Sequence, residues 1–234
     1  MCYKPTKAAR SPYGICSGQT PPQYLMNNGQ PPPTRLFTAT KTLPPNYLPA
    51  GAINLATNKA LQLGLSLGSV ILFVLFGLGF MGLIARLRPD LGSISVTFGL
   101  IEMLFVLLML VLTTFIVVWL HEAIHGFCFW LFTRSRPHYG FKGLYAYAAA
   151  PDWYLSRLPY AITGAAPLIL MTLLGLLIAT VAPALAMPLL IYALSLNAAG
   201  AIGDMFVVAW IAVSPKGALF RDHGDALERF RPGA

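Results

Sequence analysis

Hydrophobic and polar positions divide this chain into a polar beginning, a long apolar middle and a charged end. The middle contains four apolar segments, at about 61–85, 97–120, 160–182 and 187–213. A helix of about 20 apolar residues spans the hydrocarbon core of a bilayer, and each segment is long enough for that. The pattern therefore predicts an all-α integral membrane protein with four transmembrane helices.

The two ends of the chain differ in composition from this middle. Residues 1–60 are rich in Pro, Gly, Asn and Gln and show no apolar periodicity, which is typical of a disordered tail. Residues 214–234 contain many charged side chains and predict a second tail. The sequence thus divides into a Pro-rich tail at 1–60, a transmembrane domain at 61–213 and a charged tail at 214–234.

The overall composition agrees with membrane embedding. The chain is 56% hydrophobic and 10% charged, whereas soluble domains contain about 25% charged residues. Its net charge is +8, but the basic residues form no stripe with interleaved aromatic residues, so nucleic acid is not an expected partner. The lipid bilayer, with its anionic headgroups, is the expected partner of this charge.

The basic residues also predict an orientation. They are concentrated in the N-terminal region, in the loop at 134–160 and in the C-terminal tail, which four spans would place on one side of the membrane. The opposite side has Arg86 and Arg88 alone. Because basic loops remain in the cytoplasm, we expect a multi-pass protein of the cytoplasmic membrane with both termini inside.

The end of the second apolar segment contains a motif with chemical meaning, "VWLHEAIHGFCFWLF". In a helix, His121 and His125 lie one turn apart on one face, and Glu122 lies beside them. This is the pattern of zinc peptidases, in which the two histidines bind the metal and the glutamate is the general base. A polar cluster held by hydrogen bonds alone is the alternative.

A catalytic zinc ion needs a third protein ligand. The candidates are His138, Asp152, Asp204 and His223. We favour Asp204, because it is the only acidic residue in the last two apolar segments and lies at a depth similar to that of His121. Isolated carboxylates within a membrane span usually have a function.

Asn197 precedes Asp204 by seven residues and therefore lies on nearly the same face of a helix. It is a candidate catalytic residue, because its amide can bond a metal ligand, the substrate backbone or the developing oxyanion. Ordinary hydrogen bonding between helices explains an asparagine in a span equally well.

Four stretches together resemble a known family. They are "HEAIHG", the aromatic loop that follows it, "NAAGAIGD" in the fourth apolar segment and "FRDHGDALERF" after it. Over about residues 60–228, the chain resembles a family of four-span membrane proteins classed as zincin peptidases, and it is distantly similar to site-2-type intramembrane metalloproteases. The resemblance implies that His121, His125 and Asp204 bind Zn²⁺ and that Glu122 is the base.

The function expected from these observations is zinc-dependent hydrolysis of a peptide bond at or near the cytoplasmic leaflet. The substrate would be a membrane-associated protein or peptide. A non-catalytic membrane protein is the alternative, either a metal-binding assembly or regulatory factor or a transporter. A transporter would distribute polar residues along a path through the bilayer, whereas here they lie at one depth.

The loop at 134–160 is too polar to span the membrane, yet it is rich in aromatic residues. Such residues are common at the membrane interface. Alternatively, residues 138–147 alternate loosely with the period of a strand and predict a hairpin over the active site. An extended substrate could then pair with the edge of that hairpin.

Overall fold

The computed structural model describes residues 38–54, 57–91, 99–141, 146–224 and 226–233. Four helical passes are long and apolar enough to cross a membrane, which confirms the four predicted spans. The first three are single helices, α1 (Lys59–Leu87), α2 (Leu100–Thr133) and α3 (Arg157–Ala179). The fourth consists of a short 3-10 turn followed by α4 (Met187–Gly200) and α5 (Ile202–Ala212).

The surfaces of these helices are those of a multi-pass membrane protein. In the most apolar stretch of α2, only 6% of the residues are buried inside the protein. Large side chains such as Ile101 and Phe115 are 79% and 69% exposed. A bilayer provides the apolar environment that such side chains require, since water would penalise this much exposed apolar surface.

The chain also forms two β-sheets, so the all-α prediction was wrong in this respect. The larger sheet has five antiparallel strands in the order β1-β5-β6-β7-β2, and the smaller sheet is a β3-β4 pair. The seven strands are β1 (Ala39–Thr40), β2 (Tyr47–Asn54), β3 (His138–Phe141), β4 (Ala146–Ala149), β5 (Tyr154–Ser156), β6 (Leu219–Asp222) and β7 (Ala226–Pro232).

Both regions that composition assigned to tails contribute strands to the larger sheet. β1 and β2 lie within 1–60, and β6 and β7 lie within 214–234. β2 pairs with β7 along most of its length, with Ile53 opposite Leu227. Neither strand has a local apolar pattern strong enough to be recognised, because each is stabilised by a partner far away in sequence. Residues 1–37 of the predicted tail lie outside the described residues.

The larger sheet packs against one end of the helical bundle, which we call the sheet end. A buried cluster that includes Phe129, Leu155, Tyr160, Ile211 and Phe220 joins the two layers. α2 and α5 end here, and α1 and α3 begin here. The described chain therefore enters and leaves the bundle at the same end.

Candidate metal centre

Three side chains from two helices converge inside the bundle. His121 and His125 lie one turn apart on α2, and Asp204 lies on α5. The Nε2 atoms of His121 and His125 are 3.0 Å and 3.4 Å from Oδ2 of Asp204. One potential ligand atom from each of the three residues lies within 4.8 Å of the other two. The structure thus brings together the two histidines and the aspartate that the sequence suggests.

A break in the fourth pass positions Asp204. The chain leaves α4 at Ala201, which is completely buried, and begins α5 at the next residue. Asp204 consequently lies in the first turn of α5. The free N–H groups at the beginning of a helix favour a carboxylate there. The sequence predicted one continuous segment at 187–213, because glycine is common inside transmembrane helices and Gly200 alone does not predict a break.

The outward-facing nitrogen of each histidine makes a hydrogen bond. Nδ1 of His125 is 2.9 Å from the carbonyl oxygen of Thr163, and Nδ1 of His121 is 3.0 Å from Oδ1 of Asn197. Nδ2 of Asn197 faces the carbonyl oxygen of Pro167 at 3.4 Å, which orients Oδ1 toward His121. Both acceptors require a proton on Nδ1. In the neutral imidazoles, Nε2 then has the lone pair and points toward Asp204.

This donor set fits zinc. Two imidazole nitrogens and a carboxylate oxygen face one point, and such an arrangement is suited to a cation. Zinc binds nitrogen and oxygen at about 2.0–2.2 Å, so two ligands of a tetrahedral ion lie roughly 3.3–3.4 Å apart. The observed separations from Asp204 of 3.0 Å and 3.4 Å are close to that value. Three protein ligands also leave the fourth position that a catalytic zinc site requires.

A cavity of about 800 Å³ lies beside the cluster. Its walls include Glu122, His125 and Asp204, together with the small residues Gly200 and Gly203. A Cβ atom on either glycine would meet no other atom within 4 Å, so these positions leave the cavity open next to Asp204.

The β3-β4 hairpin lies over this cavity. Ala146 and Ala148 on β4 line the cavity together with Glu122, and the backbone of Ala148 lies near the Glu122 carboxylate. Tyr139 on β3 lies so close to α2 that a Cβ atom on Gly126 would collide with its ring. Burial, and to a lesser extent the negative charge of Glu122, raises the pKa of the Tyr139 phenol. Of the two sequence interpretations of this loop, the structure therefore contains the hairpin.

The remaining candidate ligands lie elsewhere. His138 and Asp152 are exposed, and Nε2 of His223 is 3.2 Å from Oε2 of Glu228 within the larger sheet. Among the described residues, the cluster of potential ligands contains none of these three. Asn197 is 1% exposed, and both polar atoms of its amide contact protein groups. Of the roles considered for Asn197, these contacts favour the orientation of a ligand.

A second polar pair on the cavity wall was not predicted from the sequence. Oη of Tyr160 donates to Oδ2 of Asp222 at 2.5 Å, and the N–H of Gly224 donates to Oδ1 of Asp222 at 2.6 Å. Tyr160 and Asp222 both line the cavity that contains Glu122. Burial raises the pKa of the Asp222 carboxyl, although the two hydrogen bonds act in the opposite direction. The stretch "FRDHGDALERF" contains Asp222, but its many charges suggested a solvated tail.

One family model matches part of the chain. Residues 114–219 match the family model described as "Putative zincin peptidase", which confirms the family resemblance expected from the sequence. No curated protein and no solved structure matches the chain. The part of the chain that contains the whole ligand cluster thus matches the family described as "Putative zincin peptidase".

Proposed function

We propose that this protein is a zinc-dependent, membrane-embedded peptidase that hydrolyses a peptide bond at or near the cytoplasmic leaflet. One observation carries the proposal: the imidazoles of His121 and His125 are held with Nε2 toward Asp204, and His125, Asp204 and Glu122 line one cavity. This combination provides metal ligands, a general base and space for a substrate. The match of residues 114–219 to the family model described as "Putative zincin peptidase" supports it.

In this proposal His121, His125 and Asp204 hold the zinc ion. When bound, zinc polarises the substrate carbonyl and lowers the pKa of a water molecule at the centre to about 7. Glu122 accepts the proton of the attacking water and transfers it to the nitrogen of the leaving amine. Ala148 of the hairpin lies near the Glu122 carboxylate, on the same cavity wall.

The hairpin suggests how the substrate is held. Within the described sheets, β4 pairs with β3 alone, and Ala146 and Ala148 of β4 line the cavity. An extended peptide could pair with the second edge of β4 and pass Glu122 with its backbone in a regular position. The small side chains of β4 would allow that close approach. We therefore propose an extended segment of a membrane-associated protein as the substrate.

The charge distribution supports a cytoplasmic position for the site. Basic residues such as Lys59, Arg134, Lys216 and Arg231 lie at the sheet end of the bundle. His125 is eight residues from the end of α2 at this side, a distance of about 12 Å at 1.5 Å per residue. If the basic end faces the cytoplasm, the metal centre lies in the cytoplasmic part of the membrane.

Replacing Glu122 by glutamine tests the catalytic role. Glutamine keeps the size of the side chain and a carbonyl oxygen, but it cannot accept the proton of the attacking water. We expect normal zinc content and thermal stability, with cleavage reduced about 10²–10⁴-fold. Cleavage would be measured on a panel of co-expressed membrane proteins. Glu102→Gln, in the exposed outer part of the same helix, is the matched control.

The outcomes separate an enzyme from a metal-binding protein. Loss of cleavage in the zinc-loaded Glu122→Gln protein, with normal cleavage in Glu102→Gln, would support the proposed mechanism. Equal cleavage by the wild type and Glu122→Gln would contradict it. If zinc is bound and neither protein cleaves any member of the panel, the alternative of a metal-binding assembly or regulatory factor would be favoured.

A further inference from the structure

We propose that the buried turn of α3 that contains Pro167 orients both histidines of the metal centre, and that Pro167 itself is the positioning residue for His125. The inference rests on the proposed function, since it concerns the ligands of the proposed zinc ion. Pro167 lies in the interior of α3 and is completely buried, and it touches neither the cavity nor Asp204 in the described contacts. The turn acts through two groups that contact the histidines directly.

The first effect follows from the N–H that proline lacks. In an α-helix, the carbonyl of residue 163 accepts a hydrogen bond from the N–H of residue 167. Pro167 has no N–H, so the carbonyl of Thr163 has no helical donor. Thr163 is 1% exposed and lies within a membrane span, where a backbone carbonyl needs a hydrogen-bond donor. Nδ1 of His125 takes the vacant position, at 2.9 Å.

The second effect runs through the carbonyl oxygen of Pro167 itself. It lies 3.4 Å from Nδ2 of Asn197, whose Oδ1 is 3.0 Å from Nδ1 of His121. Asn197 could present either end of its amide to His121. The contact with Pro167 selects the oxygen, and the oxygen requires a proton on Nδ1 of His121.

One turn of α3 therefore determines which ring nitrogen of each histidine faces Asp204. A proline in a membrane helix persists when neighbouring groups satisfy the carbonyl that it leaves free. Here the neighbouring group is a metal ligand, which gives the residue a role beyond the shape of the helix. The carbonyl of residue 167 would remain with any amino acid, whereas the free Thr163 carbonyl requires proline.

The experiment compares Pro167→Ala with wild type in the full-length protein, purified in detergent. Alanine restores the N–H that competes with His125 for the Thr163 carbonyl. Loss of such an orienting partner typically weakens metal binding about 10–100-fold, and we expect a Kd for Zn²⁺ raised within that range. We also expect an altered Co²⁺ absorption spectrum. The melting temperature of the metal-free protein should be equal to or above that of wild type, because the helix gains a hydrogen bond.

Pro188→Ala is the matched control. Pro188 lies in the first turn of α4, where no helical hydrogen bond is lost to proline, and its side chain is exposed. Zinc affinity and the Co²⁺ spectrum should not change in this variant. A general effect of removing a membrane proline would change both variants alike.

Asn197→Leu tests the second effect, in which Asn197 orients His121. It also keeps the proposal falsifiable if Pro167→Ala does not fold. Leucine has a similar size but cannot accept the Nδ1 proton of His121, so weaker zinc binding is again expected. Wild-type zinc affinity and Co²⁺ spectrum in folded Pro167→Ala, or in Asn197→Leu when the proline variant does not fold, would overturn the inference. Failure of the wild type to bind Zn²⁺ would instead overturn the proposed metal centre, and this inference with it.

Discussion

At the scale of single residues, the centre depends on which nitrogen of each imidazole has the proton. Thr163 and Asn197 accept from Nδ1 of His125 and His121, so both Nε2 lone pairs face inward. Without a cation, these lone pairs would face the carboxylate of Asp204 at 3.0 Å and 3.4 Å. Such a set of acceptors is unfavourable at membrane depth. A metal ion removes that cost, which is the physical reason to expect binding.

The first prediction concerns Asp204. Replacing it by alanine removes the only carboxylate among the three ligands, and we expect the zinc content of the purified protein to fall from about one ion per chain to a small fraction of that. Elemental analysis after dialysis is the measurement. Asp152→Ala is the control, because Asp152 is exposed and lies outside the cluster. Undiminished zinc in the Asp204 variant would assign the third ligand to another residue, first of all His138.

At the scale of secondary structure, α1 and α3 are joined at the end of the bundle opposite the sheet. Nη1 of Arg88, just after α1, donates to the carbonyl oxygens of Ala179, Thr180 and Ala182. These carbonyls lie at the end of α3 and just beyond it, where no further N–H of the helix is available to bond them. Nε of Arg88 also binds Asp90 at 2.9 Å, which holds the guanidinium in place. One side chain thus satisfies several acceptors of a neighbouring helix.

Arg88→Ala should therefore destabilise the protein without affecting the metal centre. The three carbonyl oxygens would lose a charged donor, and hydrogen bonds to charged groups are stronger than neutral ones. We expect a lower melting temperature in detergent and unchanged zinc content. Arg86→Ala, an exposed arginine in the last turn of the same helix, should melt like wild type. Equal melting of all three proteins would show that this contact does not stabilise the bundle.

The hairpin and the broken fourth pass are further examples at this scale. β3 and β4 place the backbone of Ala148 near Glu122, and the break at Ala201 places Asp204 at the beginning of α5. In both cases a segment outside the regular transmembrane helices positions a polar group, the backbone of Ala148 or the carboxylate of Asp204, beside the site. Non-helical backbone at membrane depth is tolerated where protein covers it or where it lines a cavity. The site therefore combines side chains of the regular helix α2 with groups from a hairpin and from the break in the fourth pass.

At the scale of the whole molecule, all strands and the metal centre lie toward the sheet end. We predict that this end faces the cytoplasm, since it contains most of the basic residues. Cysteines introduced one at a time in a chain that lacks Cys2 and Cys16 and keeps the buried Cys128 would test this. A membrane-impermeant thiol reagent added to intact cells should not label Lys216→Cys. It should label Ser93→Cys, in the connection between α1 and α2.

Permeabilised cells provide the control for this labelling experiment, because both cysteines should react there. Labelling of Lys216→Cys in intact cells would invert the predicted orientation. The metal centre would then lie in the outer part of the membrane, and its substrates would be exposed outside the cytoplasm.

Sequence alone was sufficient for the four spans and for the pairing of His121 with His125. Both depend on local spacing: a span needs only consecutive apolar residues, and two positions four apart share a helical face wherever the helix lies. Asp204 was identifiable for a related reason, because a lone carboxylate among apolar residues is costly and therefore conspicuous.

The tertiary structure alone decided the sheet and the contacts that orient the site. β2 and β7 are nearly at opposite ends of the chain, so their pairing leaves no local signal in either segment. The partners of Thr163, Asn197 and Asp222 likewise come from other elements. A hydrogen bond depends on the position of two groups in space, and for groups on different helices or strands that position is determined by packing. Local sequence patterns therefore predicted the candidate ligands, and packing determined what holds them in place.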